Sequence, residues 1–233
     1  MSLPPQLEPS SPQSPSRADN AVGAAGREAR TPLVALVALS ILGFFSRRPL
    51  LGLIPALSIP ALLYVFRDPP RVAPLRPDLV MSPADGKVLS VRAVQDGYWD
   101  QEMWEVVIFL SLFDVHVQRS PCAGQVVETR FVPGDFRPAL WPSASERNER
   151  LHVYLQGPVP LTVTQVAGIL ARSIVSWVQP GQELASGERI GMIKLGSQTH
   201  LRFPHRYRPL VRPGDHVAAA VTPITVIDEL TPA

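Results

Sequence analysis

Twenty-six prolines among 233 residues are the tightest constraint on what this chain can become. A proline fixes φ and lacks an amide donor, so helix interiors and central strands tolerate few of them. From about Leu79 onward, turn signals cut the chain into short runs: Asp85-Gly86, Pro133-Gly134-Asp135, Pro180-Gly181 and Pro213-Gly214-Asp215. Between them, residues 87–94, 105–110, 114–118 and 152–155 alternate apolar and polar side chains, the period of a half-buried strand. Residues 167–178 are long enough for one bent strand or two. The pattern excludes a helical bundle and predicts a mainly β fold, a compact sandwich or barrel, for residues 67–233. Residues 141–150 read as an irregular or helical insertion.

The first third of the chain is different. Residues 1–31 are rich in Pro, Ser, Ala and Gly, lack periodicity and read as a disordered tail. No basic segment and cleavage site bracket an early apolar core, so they do not form a secretory signal. Residues 33–45 carry no charge, Ser46-Arg47-Arg48 breaks the run, and a second apolar run follows to Phe66, interrupted by Pro55 and Pro60. Neither run clearly reaches the roughly 20 residues of a comfortable span. Residues 32–66 therefore predict a hydrophobic helical hairpin at a membrane, spanning or re-entrant, with a buried helical hairpin as the alternative. Arg27 and Arg30 precede it and Arg67, Arg71 and Arg76 follow, a bias that puts both ends and the β domain in the cytoplasm if both runs span. Arg47 and Arg48 in the turn also suit shallow insertion, with the arginines reaching back to head groups.

Composition narrows the partners. Hydrophobic residues make up 45% and charged residues 18%, an apolar surplus that can face lipid. With 22 basic against 20 acidic residues the net charge is +2, too little for a nucleic-acid partner. Cys122 is the single cysteine, so there is no intrachain disulfide, and no Cys/His set has zinc spacing.

Three polar spots stand out in the β region. In Ser82-Pro83-Ala84-Asp85-Gly86-Lys87 the Asp-Gly pair has the form of a hairpin turn. In Asp114-Val115-His116 the two polar residues would share one face of a strand. Gly196-Ser197 lies between two β-like runs. It reads either as an ordinary hairpin turn or as a bond where the Ser197 hydroxyl can attack the Gly196 carbonyl, since glycine takes angles that other residues avoid. Serine, histidine and aspartate together can make an activated nucleophile.

Taken in order, Met81-Ser82-Pro83-Ala84-Asp85-Gly86-Lys87-Val88, Phe113-Asp114-Val115-His116-Val117-Gln118-Arg119-Ser120-Pro121 and Lys194-Leu195-Gly196-Ser197 resemble the phosphatidylserine decarboxylase family. Glu146-Arg147-Asn148-Glu149-Arg150 and Gln165-Val166-Ala167-Gly168 extend the match. The resemblance covers about residues 32–204 and fits the shorter, prokaryotic-type branch. It implies a membrane-bound proenzyme that cleaves itself between Gly196 and Ser197, giving pieces 1–196 and 197–233 that stay associated. Ser197 would be the nucleophile and become a pyruvoyl group, the covalent cofactor; no metal is needed. The carbonyl of that group would take up the electrons released when a phosphatidylserine-like lipid loses carbon dioxide. Asp85 matches the family's acidic residue of the cleavage triad and His116 its histidine. The longer branch has a second histidine three positions on, where this chain has Arg119, so His116 serves both processing and protonation or the second task falls elsewhere. Asp114 could orient His116 instead of Asp85. Arg119 and Arg147 are candidates for holding the lipid phosphate, and a homo-oligomer is compatible with the pattern.

Pro180-Gly181-Gln182-Glu183-Leu184, Gly187 and Ile190-Gly191-Met192-Ile193-Lys194 are similar to a biotinyl or lipoyl carrier domain, which presents a modified lysine on a hairpin. The flanks of Lys194 lack the carriers' pattern, so the likeness implies barrel-sandwich architecture rather than carrier function. A carrier or binding module on a membrane anchor is the alternative to an enzyme. A serine hydrolase lacks its nucleophile-elbow pattern around Ser197.

Overall fold

A computed structural model describes residues 24–46, 50–141, 143–169, 173–194 and 196–227. Two apolar helices, α1 (Ala24–Phe45) and α2 (Leu50–Val65), precede a β domain. The helices cross in backbone contact at a pair of glycines: a Cβ on Gly43 would stand 2.2 Å from the Gly52 amide nitrogen. Small residues at such a crossing allow close approach where no water drives association. Most large side chains of the pair point outward, Leu42, Phe45, Leu50, Ile54 and Leu57 among them, so the buried-hairpin alternative does not describe these helices. α1 starts at Ala24, not after residue 31, so the last eight residues of the expected tail are helical. The physical reason is docking: Ala25 and Ala29 are buried against the β domain. Residues 1–23 and the Arg47–Arg48 pair lie outside the described residues.

The β domain is built on an eight-stranded antiparallel sheet that curls into a half-barrel. Its strands are β2 (Gly86–Asp96), β3 (Gln101–Leu110), β5 (Gly124–Val132), β6 (Arg150–Gln156), β7 (Pro160–Val166), β9 (Glu183–Leu184), β11 (Ser197–Pro204) and β12 (His216–Val217), in the order β12-β2-β3-β11-β7-β6-β5-β9. A three-stranded sheet holds β4 (Val117–Arg119), β10 (Arg189–Ile193) and β8 (Ile174–Ser176), with β10 central, and β1 (Leu79–Met81) pairs with β13 (Pro223–Val226). The insertion at 141–150 contains the short helix α3 (Ala144–Arg147). The period-2 reading holds in the large sheet. Val106, Ile108, Leu110, Val153, Leu155, Leu161, Val163, Leu201 and Phe203 line the core face. Arg92, Glu105, His152, Thr164, His200 and Arg202 share the other face, around a polar cavity of about 310 Å³.

Four local readings differ from the structure. Gly196-Ser197 is not a hairpin turn, because β10 lies in the three-stranded sheet and β11 in the large one. Asp85-Gly86 is not one either: it passes from β1, paired with β13, to β2, paired with β3 and β12. Residues 114–118 are not a strand throughout; a turn at 112–114 leads into β4, which starts only at Val117. Their alternation has another cause, since Val115 and Val117 pack on the foot of the helical pair. Of 167–178, only β8 is strand among the described residues, because Ala167 and Gly168 leave the ladder after β7.

Candidate functional site

Ser197 is the first residue of β11, and its position is fixed by pairing. β3 runs beside β11 from the Ser197–Leu110 partners to Pro204–Met103, and β7 pairs on the other side from Gln198–Val166 to Arg202–Thr162. Odd positions of β11 face the core, so Ser197 and Thr199 point the same way as Leu201 and Phe203. Ser197 is fully buried, and its Oγ has no hydrogen-bond partner among the described residues.

The preceding residue, Gly196, has φ +65°, in the left-handed region that favours glycine. Its carbonyl lies directly against Gly168, just beyond β7: a Cβ on Gly168 would stand 1.6 Å from the Gly196 oxygen. The carbonyl that Ser197 would attack is thus pinned by a backbone contact that no side chain can enter.

His116 sits between the 112–114 turn and β4, fully buried. Its backbone carbonyl accepts from the Ile193 amide at 3.2 Å and from Gln118 Nε2 at 3.0 Å. Gln118 Oε1 in turn accepts from Gln165 Nε2 at 2.7 Å. His116 is therefore locked to the end of β10, four residues before Ser197. Neither ring nitrogen has a hydrogen-bond partner among the described residues. Burial pushes the imidazole pKa below its ordinary value, Asp114 opposes the shift, and the Arg67 charge adds to it. The net effect favours the neutral ring.

Asp85 does not hydrogen-bond His116. Its carboxylate takes a two-pronged hydrogen bond from Arg71 at 2.5 and 2.6 Å, and the Ala219 amide at 2.8 Å. Its charge still acts on His116 through space. Asp114 spends its carboxylate on the turn, accepting from the Ser111 amide at 2.8 Å and the Ser111 hydroxyl at 2.6 Å. Arg119 is buried and committed to Asp68 at 2.8 Å and to the Gly187 carbonyl at 3.1 Å. Arg147 is exposed on α3. Lys194 is ion-paired with Glu28 at 2.8 Å rather than presented on a hairpin tip.

The structure adds residues to which sequence reasoning gave no role. Thr199 Oγ1 and Gln165 Oε1 are buried without partners, and Thr199 is paired with Gln165 across β11 and β7. With Ser197 and His116 they make a concentration of unmet polar atoms. Each such atom costs about 1–3 kcal/mol, which a fold tolerates where chemistry needs it. Thr199 was findable from its place two residues after Ser197; Gln165 stands in the segment that extends the resemblance, but its pairing with Thr199 is non-local and could not be read. Gln198, on the opposite face, donates to the Ala139 carbonyl and accepts from Ser145 Oγ at 2.9 Å, with His200 Nε2 at 3.0 Å. It also walls a cavity of about 390 Å³ edged by the exposed Leu140 and Trp141.

The family described as phosphatidylserine decarboxylase matches residues 61–225. A phosphatidylserine decarboxylase proenzyme of Symbiobacterium thermophilum is 43% identical over 188 residues, 79% of this chain and 87% of its own. Proenzymes of the same name from Nitrosomonas europaea and Burkholderia mallei are 41% and 39% identical, covering 69% and 70% of this chain and 75% and 77% of theirs.

The Gly168–Gly196 contact can be tested directly. Gly168→Ala should displace the Gly196 carbonyl and slow the expected 196–197 self-cleavage by at least about tenfold, since a misplacement of about an ångström can cost a hundredfold. Mass spectrometry of the freshly made chain, followed over time for its two pieces, measures this. Cleavage at the wild-type rate would show that the contact does not matter.

Proposed function

The chain belongs to the phosphatidylserine decarboxylase family and is a decarboxylase; from that premise we propose that it cleaves itself at Gly196–Ser197 and then decarboxylates phosphatidylserine, or a close serine phospholipid, to the ethanolamine lipid. The observation that carries this reading is the Ser197 hydroxyl, buried and unpartnered, next to a glycine carbonyl pinned against Gly168.

His116 takes the hydroxyl proton as Ser197 Oγ adds to the Gly196 carbonyl carbon, then returns it to the Ser197 nitrogen as the C–N bond between the two residues breaks, leaving an ester and a free amine. Proton removal from the Ser197 α-carbon expels the Gly196 carboxylate and leaves dehydroalanine. Water then releases ammonia and leaves a pyruvoyl group at the new amino terminus of 197–233. The residues present fit such a group: cleavage opens the first position of a central strand, inside a patch of unmet polar atoms. Once formed, the pyruvoyl carbonyl supplies an electron sink for the electrons left when carbon dioxide departs. His116, a buried free base in the precursor, is the group that moves protons, and Asp85 supports its charged form through space. With Arg119 and Asp114 committed to the scaffold, His116 serves both processing and protonation.

The short piece contributes β11, β12 and β13, which pair with β3 and β7, with β2, and with β1. That interleaving keeps the two pieces together after cleavage. α1 is long and apolar enough to cross a membrane, with a mean hydropathy of 1.5, and its outward apolar surface continues onto α2. We assign the pair to the cell membrane, with the β domain on the cytoplasmic side.

Intact mass tests the core of this reading. The wild type should give two pieces, the smaller with a blocked amino terminus, and borohydride with substrate should inactivate it. Ser197→Ala should stay whole and inactive; if it still splits at 196–197, or decarboxylates the lipid while whole, the pyruvoyl reading is wrong. The lowered His116 pKa fixes a sign for pH. The base form persists below the ordinary histidine range near 6.5, so the cleavage rate should stay flat through that range as pH falls and drop only below it. A midpoint at or above 6.5 would count against His116 as the base. For the membrane assignment, a chain starting at Arg67 should leave the membrane fraction that holds the full chain; continued sedimentation with membranes would refute it.

A further inference from the structure

The contacts between the helical pair and the β domain go beyond what holding a protein at a bilayer requires. Ala25 and Ala29, one turn apart on a single face of α1, pack with Phe66 against Val115, Val117 and Met192. Val115 and Val117 flank His116, and Met192 lies on the strand that runs toward Ser197. On the same turn of α1, Glu28 Oε2 meets Lys194 Nζ at 2.8 Å, two residues before the Gly196 carbonyl. The linker repeats the pattern. Arg67 Nη2 donates to the Phe113 carbonyl at 2.5 Å, at the head of the His116 segment. Asp68 accepts from Arg119 at 2.8 Å and from Arg189 at 2.5 Å, one residue on each of the paired strands β4 and β10. Arg71 holds Asp85. Each segment that carries a cleavage residue is therefore gripped by residues 25–71.

Resting on the self-cleavage reading above, we propose that the foot of the helical pair is a positioning element for that cleavage. The Glu28–Lys194 pair is the clasp that seats the end of β10 beside His116, two residues ahead of Gly196, so the chain matures at full rate only with its membrane helices docked. A hairpin serving as anchor alone would need neither the clasp nor the linker ion pairs.

The test uses full-length chain made by cell-free synthesis into detergent micelles, where membrane delivery limits nothing, with the two pieces counted by mass over time. Glu28→Lys and Lys194→Glu should each slow cleavage by about two- to fivefold, the effect of a partly solvated ion pair. The double reversal should restore the wild-type rate. On a Ser197→Ala background the same reversals should leave the melting temperature unmoved, which separates positioning from stabilisation. Single reversals that cleave at the wild-type rate, a double variant as slow as the singles, or a melting temperature falling in step with the rate would each overturn the clasp. A wild-type chain that never splits would instead defeat the self-cleavage reading, and the clasp with it.

Discussion

The backbone contact between Gly168 and Gly196 is the constraint on which the site depends. Gly196 stands where the chain leaves the three-stranded sheet after β10 and enters the large sheet as β11, and Gly168 stands just past β7, the ladder neighbour of β11. The two glycines meet at the seam between sheets. With no Cβ at 168, the Gly196 carbonyl can sit flat against its neighbour. With φ at +65°, Gly196 takes a left-handed backbone just before the chain enters the large sheet at Ser197. The geometry of the Gly196 carbonyl is thus a consequence of how two sheets join, not of a local turn.

That seam is energetically expensive and is held by its surroundings. Ser197 Oγ, both His116 ring nitrogens, Thr199 Oγ1 and Gln165 Oε1 are buried without partners among the described residues, and at about 1–3 kcal/mol each the penalty rivals the net stability of a domain. The compensation lies alongside: Ile108, Leu110, Leu201 and Phe203 on the same core face, and a central strand with ladder bonds on both sides. The same sheet keeps its charges on the far face. Burial alone would raise the Glu105 carboxyl, but His200 and Arg202 outweigh it and hold it well below the usual carboxylate range. An ion-paired outer face thus backs an inner face whose Ser197, Thr199 and Gln165 atoms are left without partners among the described residues.

The sequence was legible wherever one face of a strand decided burial. The alternation at 105–110 and 152–155 matches β3 and β6 because Val106, Ile108, Leu110, Val153 and Leu155 are core residues. It was illegible wherever pairing was non-local. Asp85-Gly86 and Gly196-Ser197 carry the residues of a hairpin turn, yet both join strands of different sheets, and nothing local distinguishes a tight turn from a crossing. The alternation at 114–118 was real but had a different cause, helix packing instead of a sheet, so no strand ladder sets Asp114 beside His116. The segment Arg67-Asp68-Pro69-Pro70-Arg71 shows two prolines among charged residues, but its partners Phe113, Arg119, Arg189 and Asp85 are distant in sequence and could not be read from composition.

The linker also explains why His116 is a free base next to two carboxylates. Asp114 is nearest in sequence and raises the ring's pKa, but one of its carboxylate oxygens, Oδ2, takes both hydrogen bonds from Ser111. Asp85 is bound to Arg71 through both oxygens, and a guanidinium so placed offsets most of the charge the carboxylate presents to a third group. The Arg67 charge pushes in the same direction. Burial is then left as the dominant influence on the ring, and burial favours the neutral form. In the proposed cleavage the ring accepts the Ser197 proton and the balance changes sign, because a buried imidazolium draws on whatever negative charge Arg71 leaves uncompensated. The linker arginines thus favour the base before proton transfer, and Asp85 with Asp114 limits the cost after it.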